Sequence, residues 1–220
     1  MVENNDISFN NPDNKFRSGN EAGGTKFAKM DGLIVRGNEV HNNKGPGLWT
    51  DIDNRNVLYE GNYIYENRNG GIFHEISYNA IIRNNRIERN GLGQSNWLYN
   101  GGILIAHSSD VEVYNNTLKN NRHGIIGIQQ ERNRSGVYWK LKNLNVHDNI
   151  IEGVEKSLAG IGQSSGAFDA GLDAYNANNR FNNNTYGQNG ISSGSWFVYK
   201  GSKTLNYWQN TIGFDKSFSP

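Results

Sequence analysis

The heptapeptide GLWTDID, Gly47 to Asp53, is answered one period later by GIFHEIS, Gly71 to Ser77. Further versions are GILIAHS (Gly102 to Ser108), GIIGIQQ (Gly124 to Gln130) and GLDAYN (Gly171 to Asn176), with GTKFAK (Gly24 to Lys29) ahead of them. In an extended strand successive side chains point to opposite faces. Leu48 and Ile72 therefore face one way, and Trp49, Asp51, Phe73 and Glu75 face the other. Each version is a strand with an apolar side and a side that carries aromatic and acidic groups.

A second marker sets the period. An Asn with an apolar residue three before it and another two after it recurs as Asn5, Asn38, Asn62, Asn85, Asn116, Asn149 and Asn184. A further Asn follows five residues later as Asn10, Asn43, Asn67, Asn90, Asn121 and Asn189. The shortest spacings, 24 from Asn38 to Asn62 and 23 from Asn62 to Asn85, suit a solenoid coil of short strands that must stack on its neighbours to bury its apolar side. Helices do not fit, because the apolar positions alternate with period two and Asn and Gly punctuate at turn positions. An Asn at one fixed place in every coil can bond its counterparts above and below, satisfying turn backbone that would otherwise be buried unpaired. The sequence thus predicts an all-β, right-handed parallel β-helix of about seven coils over residues 1–190 with an Asn ladder. Residues 191–220, which abandon the Asn period and are rich in aromatics, are expected to cap it. Val2 and Asn5 already occupy repeat positions, so further coils upstream, or self-association over that end, are expected.

Where the spacing exceeds one coil, an insertion is expected in a turn. Residues 11–20, 91–100 and 155–169 are expected on one edge of the Gly-led strands, and residues 130–141 on the other. The second insertion brings Trp97 and Tyr99.

Composition narrows the partners. With 22 basic and 21 acidic side chains the net charge is +1, which argues against a nucleic-acid footprint. No apolar run approaches the ~18 residues of a membrane span. There are no cysteines, hence no disulfides, and the opening MVENNDISFN lacks the regions of a signal peptide.

Aligned on their glycines, the strands present two outward columns: Lys26, Trp49, Phe73, Leu104, Ile126, Asp173, and Ala28, Asp51, Glu75, Ala106, Ile128, Tyr175. Strands lie ~4.8 Å apart, so Asp51 and Glu75 should stand side by side, with Trp49 and Lys26 beside them. Two carboxylates at that distance do not both ionise freely. Trp49, Phe73, Trp97, Tyr99 and His107 are the candidate substrate-binding residues, and Lys26, Asp51 and Glu75 the candidate catalytic ones. Asp51, Asp53 and Glu75 are the candidate ligands of a divalent cation such as calcium. His74 falls by parity on the buried side.

The repeat length and Asn spacing resemble the right-handed parallel β-helix proteins, and the resemblance runs from Val2 to about Tyr186. It implies a secreted or cell-surface protein acting on a polysaccharide as a lyase, hydrolase or epimerase. EAGGTKF followed by GLWTDID is similar to the pectate-lyase-type enzymes in which a strand lysine is the base and acids of the next coil hold calcium. Lys26 would match that base and Asp51 one acid, with Lys44, Gly45 and Pro46 standing where such enzymes carry paired aspartates. Three readings follow. In a hydrolase, Asp51 and Glu75 act on a glycosidic bond; in a lyase, Lys26 removes a proton beside a uronate carboxylate. The third is a carbohydrate-binding or adhesive solenoid without catalysis.

Overall fold

Three parallel sheets of short strands follow one another around each coil and stack along one axis. The computed structural model describes residues 1–17, 22–94 and 97–220, so parts of the first two insertions (18–20; 95 and 96) lie outside the described residues. The first sheet runs from Val2–Glu3 to Arg180–Asn182 and the second from Asp6–Ser8 to Thr185–Gly187, each with seven strands, one per coil. The third contains Leu48–Thr50, Ile72–Glu75, Ile103–Ala106, His123–Gln129, Ser157–Gln163 and Phe197–Tyr199. Right-handed winding is the hand that crossovers between parallel strands take. Inward residues such as Val35, Tyr59, Ile64, Ile82, Ile87 and Ile103 are fully buried and form one continuous core.

The Asn ladder holds the corner between the first and second sheets. Each ladder Asn donates its backbone N–H and its side-chain amide to the Oδ1 of the next, at 2.9 to 3.1 Å from Asn5 through Asn149. The residue before it is left-handed in every coil: Asn4, Gly37, Gly61, Asn84, Asn115, Asp148 and Asn183. Asn, Asp and Gly tolerate that conformation, which explains the recurring NN, GN and DN dipeptides.

A second ladder runs Asn10, Asn43, Asn67, Asn90, Asn121. Asn189 does not join it: that side chain is exposed, and Gln188 accepts the Val154 N–H in its place. A third corner is held by Asn54, Ser77 and Ser108, a smaller repeat that the Asn period conceals.

One strand differs from the sequence reading. In the sixth coil the third-sheet strand is Ser157–Gln163, paired with the preceding strand from His123↔Ser157 to Gln129↔Gln163. The predicted insertion 155–169 therefore contains this strand, Ser157–Gln163, followed by the short helix Ser165–Asp169. GLDAYN is loop, and Gly160 and Gly162 replace Asp173 and Tyr175 in the outward columns. Leu158 stands opposite Gly124, so this strand lacks the leading glycine that located the others. The sixth-coil insertion leaves the later edge of the sheet, after Gln163, with the short helix Ser165–Asp169. That is the edge from which the hairpin Asn133–Arg134 / Val137–Tyr138 also emerges.

After Phe197–Tyr199 the chain returns antiparallel at Ser202–Lys203. It then lays a fully buried Trp208 against Phe181 and Phe197, ring centroids 5.0 and 4.9 Å away.

Candidate functional site

Pairing of Trp49 with Phe73 and of Thr50 with His74 fixes the site, because it places Asp51 and Glu75 next to each other at the ends of adjacent strands. Lys26 falls opposite Trp49, since Phe27 bridges to Thr50. The inward residues between them are structural. The Thr50 hydroxyl meets His74 Nδ1 at 2.7 Å and accepts from the Tyr59 hydroxyl at 2.9 Å, all inside the core. Burial holds the His74 pKa down at about 3.

The strands end in an unusual backbone. Ile52 and Ile76, directly after Asp51 and Glu75, have φ of +65° and +37°. Left-handed conformation in a β-branched residue is strained, and here it turns the chain away immediately beyond each carboxylate.

Glu75 forms part of the floor of a cleft of about 440 Å³. Phe73 and Leu104 flank it on the same sheet, Trp97 and Tyr99 rise from the insertion on one edge, and Arg132 comes from the hairpin on the other. Only 6 % of Glu75 is exposed. Burial and then the neighbouring Asp51 charge push its carboxyl up to about 7, against the opposing pull of Arg132 and Lys26. Arg132 Nη2 lies 3.6 Å away. The Trp49 indole N–H is directed toward the same carboxylate but outside hydrogen-bonding geometry.

Asp51 stands behind Glu75 rather than in the cleft lining. One of its oxygens meets Lys26 Nζ at 2.9 Å, and the other is buried without a hydrogen-bond partner.

Several expected roles change. Trp49 lines the cleft but its ring is largely covered, because Lys26 sits 4.1 Å above it and Phe73 stacks on it at 5.3 Å, leaving 3 % exposed. His107 is fully buried beside Gln130 and Arg132, outside hydrogen-bonding geometry. Where the strand ends the hairpin has folded over it, so it reaches no substrate.

Asp53 serves the hairpin: it accepts from Arg134 at 2.9 Å and from the Trp139 indole at 3.3 Å. Asp51, Asp53 and Glu75 thus each face a cation of the protein itself. Among the described residues no group of three His, Cys, Asp or Glu side chains is arranged to hold a metal ion. The orphaned Asp51 oxygen is a single buried acceptor, and these residues do not fit calcium.

The residues that sequence reasoning missed are Arg132, Gln130 and Leu98. Tyr99 donates to Gln130 at 2.6 Å, tying the two edge insertions together across the sheet. Arg132 was readable only as one charge in a polar loop.

A family model described as a right handed beta helix region matches residues 1–118, more than half of the chain. No curated protein and no solved structure matches it.

Proposed function

Because this chain belongs to the right-handed β-helix family, in which an outward strand face runs along the stack, we propose that its third sheet binds a glycan and hydrolyses a glycosidic bond. The observation that supports this is Glu75: a carboxyl with its pKa raised to about 7, set in the floor of an aromatic-walled cleft. A carboxyl poised near neutrality is suited to general-acid work.

In this reading the Glu75 carboxyl gives its proton to the glycosidic oxygen as the C–O bond breaks. Asp51, on the adjacent strand with Lys26 as its counter-ion, is the second carboxylate. Closed off from the cleft, it acts through its charge, which helps to keep the Glu75 carboxyl protonated. Water entering the cleft attacks the anomeric carbon as the leaving oxygen takes the Glu75 proton, and the proton of that water returns to the Glu75 carboxylate. Aromatic C–H stacking on Phe73, Trp97 and Tyr99 holds the rings. A polysaccharide substrate and a secreted or cell-surface setting belong to the same proposal.

Elimination by Lys26 is less well supported, because its ammonium is already placed on Asp51 and over the Trp49 ring. Incubation with neutral and uronic-acid oligosaccharides, with and without chelator, tests the choice. Hydrolysis releases reducing sugar without unsaturated ends and is indifferent to chelator. Absorbing unsaturated products that vanish in Lys26→Ala would replace it with the lyase reading.

A further inference from the structure

The outward face of the third sheet carries a cleft over only part of its length. Beyond Glu75 and Leu104, its residues are apolar and covered: Ala106, Ile126, Ile128 and Val198 are buried although they point away from the core. Leu98 packs among them, with Tyr99 and Phe73 against the cluster. Gly162 shows how closely the insertion is seated. A Cβ there would collide with Leu98 Cδ1 and lie 3.0 Å from the Trp97 ring. The sheet face is thus built to receive this loop, with glycine where the loop touches down.

The consequence is a wall across the groove. Ala106, next to Glu75 on the following strand, is fully buried. One strand step, ~4.8 Å, separates Glu75 from that closed stretch, which is room for about one sugar ring. The cleft volume of 440 Å³ lies toward the lower part of the range for sites that hold drug-sized ligands, matching a few rings and not a polymer laid along all the coils.

From the Leu98 and Trp97 wall, the geometry points to a blind-ended cleft that takes the terminus of a glycan chain and cleaves a single ring from it. This rests on the glycan reading given above, and adds that the cleft recognises an end and excludes the interior of a chain.

Binding tests the inference apart from catalysis. Glu75→Gln protein is titrated by tryptophan fluorescence with hexasaccharides of glucan, xylan, mannan, chitin and galacturonan backbones. Each is supplied free, blocked by a bulky group at one end or the other, and blocked at both. The inference expects a free hexasaccharide to bind and the doubly blocked one to bind at least about tenfold more weakly, with only one of the two single blocks having that effect. Trp97→Ala, which removes a half-exposed ring and keeps Leu98, should weaken binding of the free chain and narrow the ratio between free and doubly blocked chains. Equal binding of free and doubly blocked chains overturns the blind end while leaving a glycan cleft in place. Binding of none overturns both. Reducing-sugar release by the unaltered protein is read separately, so loss of the catalytic reading alone would show as end-specific binding without turnover.

Discussion

Asn184 donates its backbone N–H and its side-chain amide to one carboxylate oxygen of Asp215, both at 2.9 Å. The ladder that begins at Asn5 therefore ends on an acid supplied by the segment that covers the last coil. The other Asp215 oxygen accepts from the Tyr186 hydroxyl at 2.6 Å and the Trp208 indole at 2.9 Å. Asp215→Ala would strand four buried donors. At about 1–3 kcal/mol for each group left unpaired, a loss of at least ~3 kcal/mol is expected in denaturant unfolding. A loss below ~1 kcal/mol would show that the ladder does not depend on this terminus.

Within the ladder, Asn62 accepts from Asn38 and donates to Asn85 and to the Val35 carbonyl. Asn62→Ala should cost about 1–3 kcal/mol. Asn14 makes one exposed contact with Arg68, so Asn14→Ala should change stability by no more than ~0.5 kcal/mol. Equal losses at the two positions would contradict the ladder account.

Acid should unfold the protein through its histidines. Burial holds the pKa of His74 and His107 at about 3 and of His123 at about 4, with Arg132 and Arg122 adding to the effect at the latter two. Unfolded histidine titrates near 6.5, so below that pH the unfolded chain binds protons that the native one refuses. Stability is complete above about pH 6.5 and falls as pH drops, on the order of 3 kcal/mol per histidine by about pH 4. Glu75 works in the opposite sense: its raised pKa makes its contribution greatest below the ordinary carboxyl range, and that contribution is lost as pH rises through about 7. Three groups against one leave net acid lability. A melting temperature that is flat between about pH 7 and about pH 4 would refute the burial of these rings.

The coil period, the ladder positions and the register of Asp51 against Glu75 were legible because each depends on local spacing: two residues per strand repeat, and Asn where the turn is left-handed. What was not legible depends on contacts between distant coils. Asp53 reads as a site acid until Arg134, 81 residues later, is seen on it. The sixth strand escapes a Gly-led alignment because Leu158 holds the leading position, while its glycines, Gly160 and Gly162, lie against Val198 and Leu98. Asp215 carries no mark of the ladder it ends, and the burial of His107 follows from a hairpin whose docking no periodicity encodes.

The neighbours of Glu75 set its proton affinity in directions that can be measured. Asp51 raises it and Arg132 lowers it. Carboxyl ¹³C NMR titration should therefore find the Glu75 midpoint moved down in Asp51→Asn and up in Arg132→Gln. Shifts in the reverse directions would mean that the two charges do not act on Glu75 as the geometry requires.

The most direct measurement is reducing-sugar release against pH, for the unaltered protein and for Glu75→Gln on the same glycan panel. A general acid with its pKa at about 7 predicts activity that falls above neutrality. It also predicts a loss of about 10²-fold or more in Glu75→Gln, with the melting temperature not lowered above neutral pH. Turnover that survives Glu75→Gln, with its alkaline limb unchanged, would contradict the account.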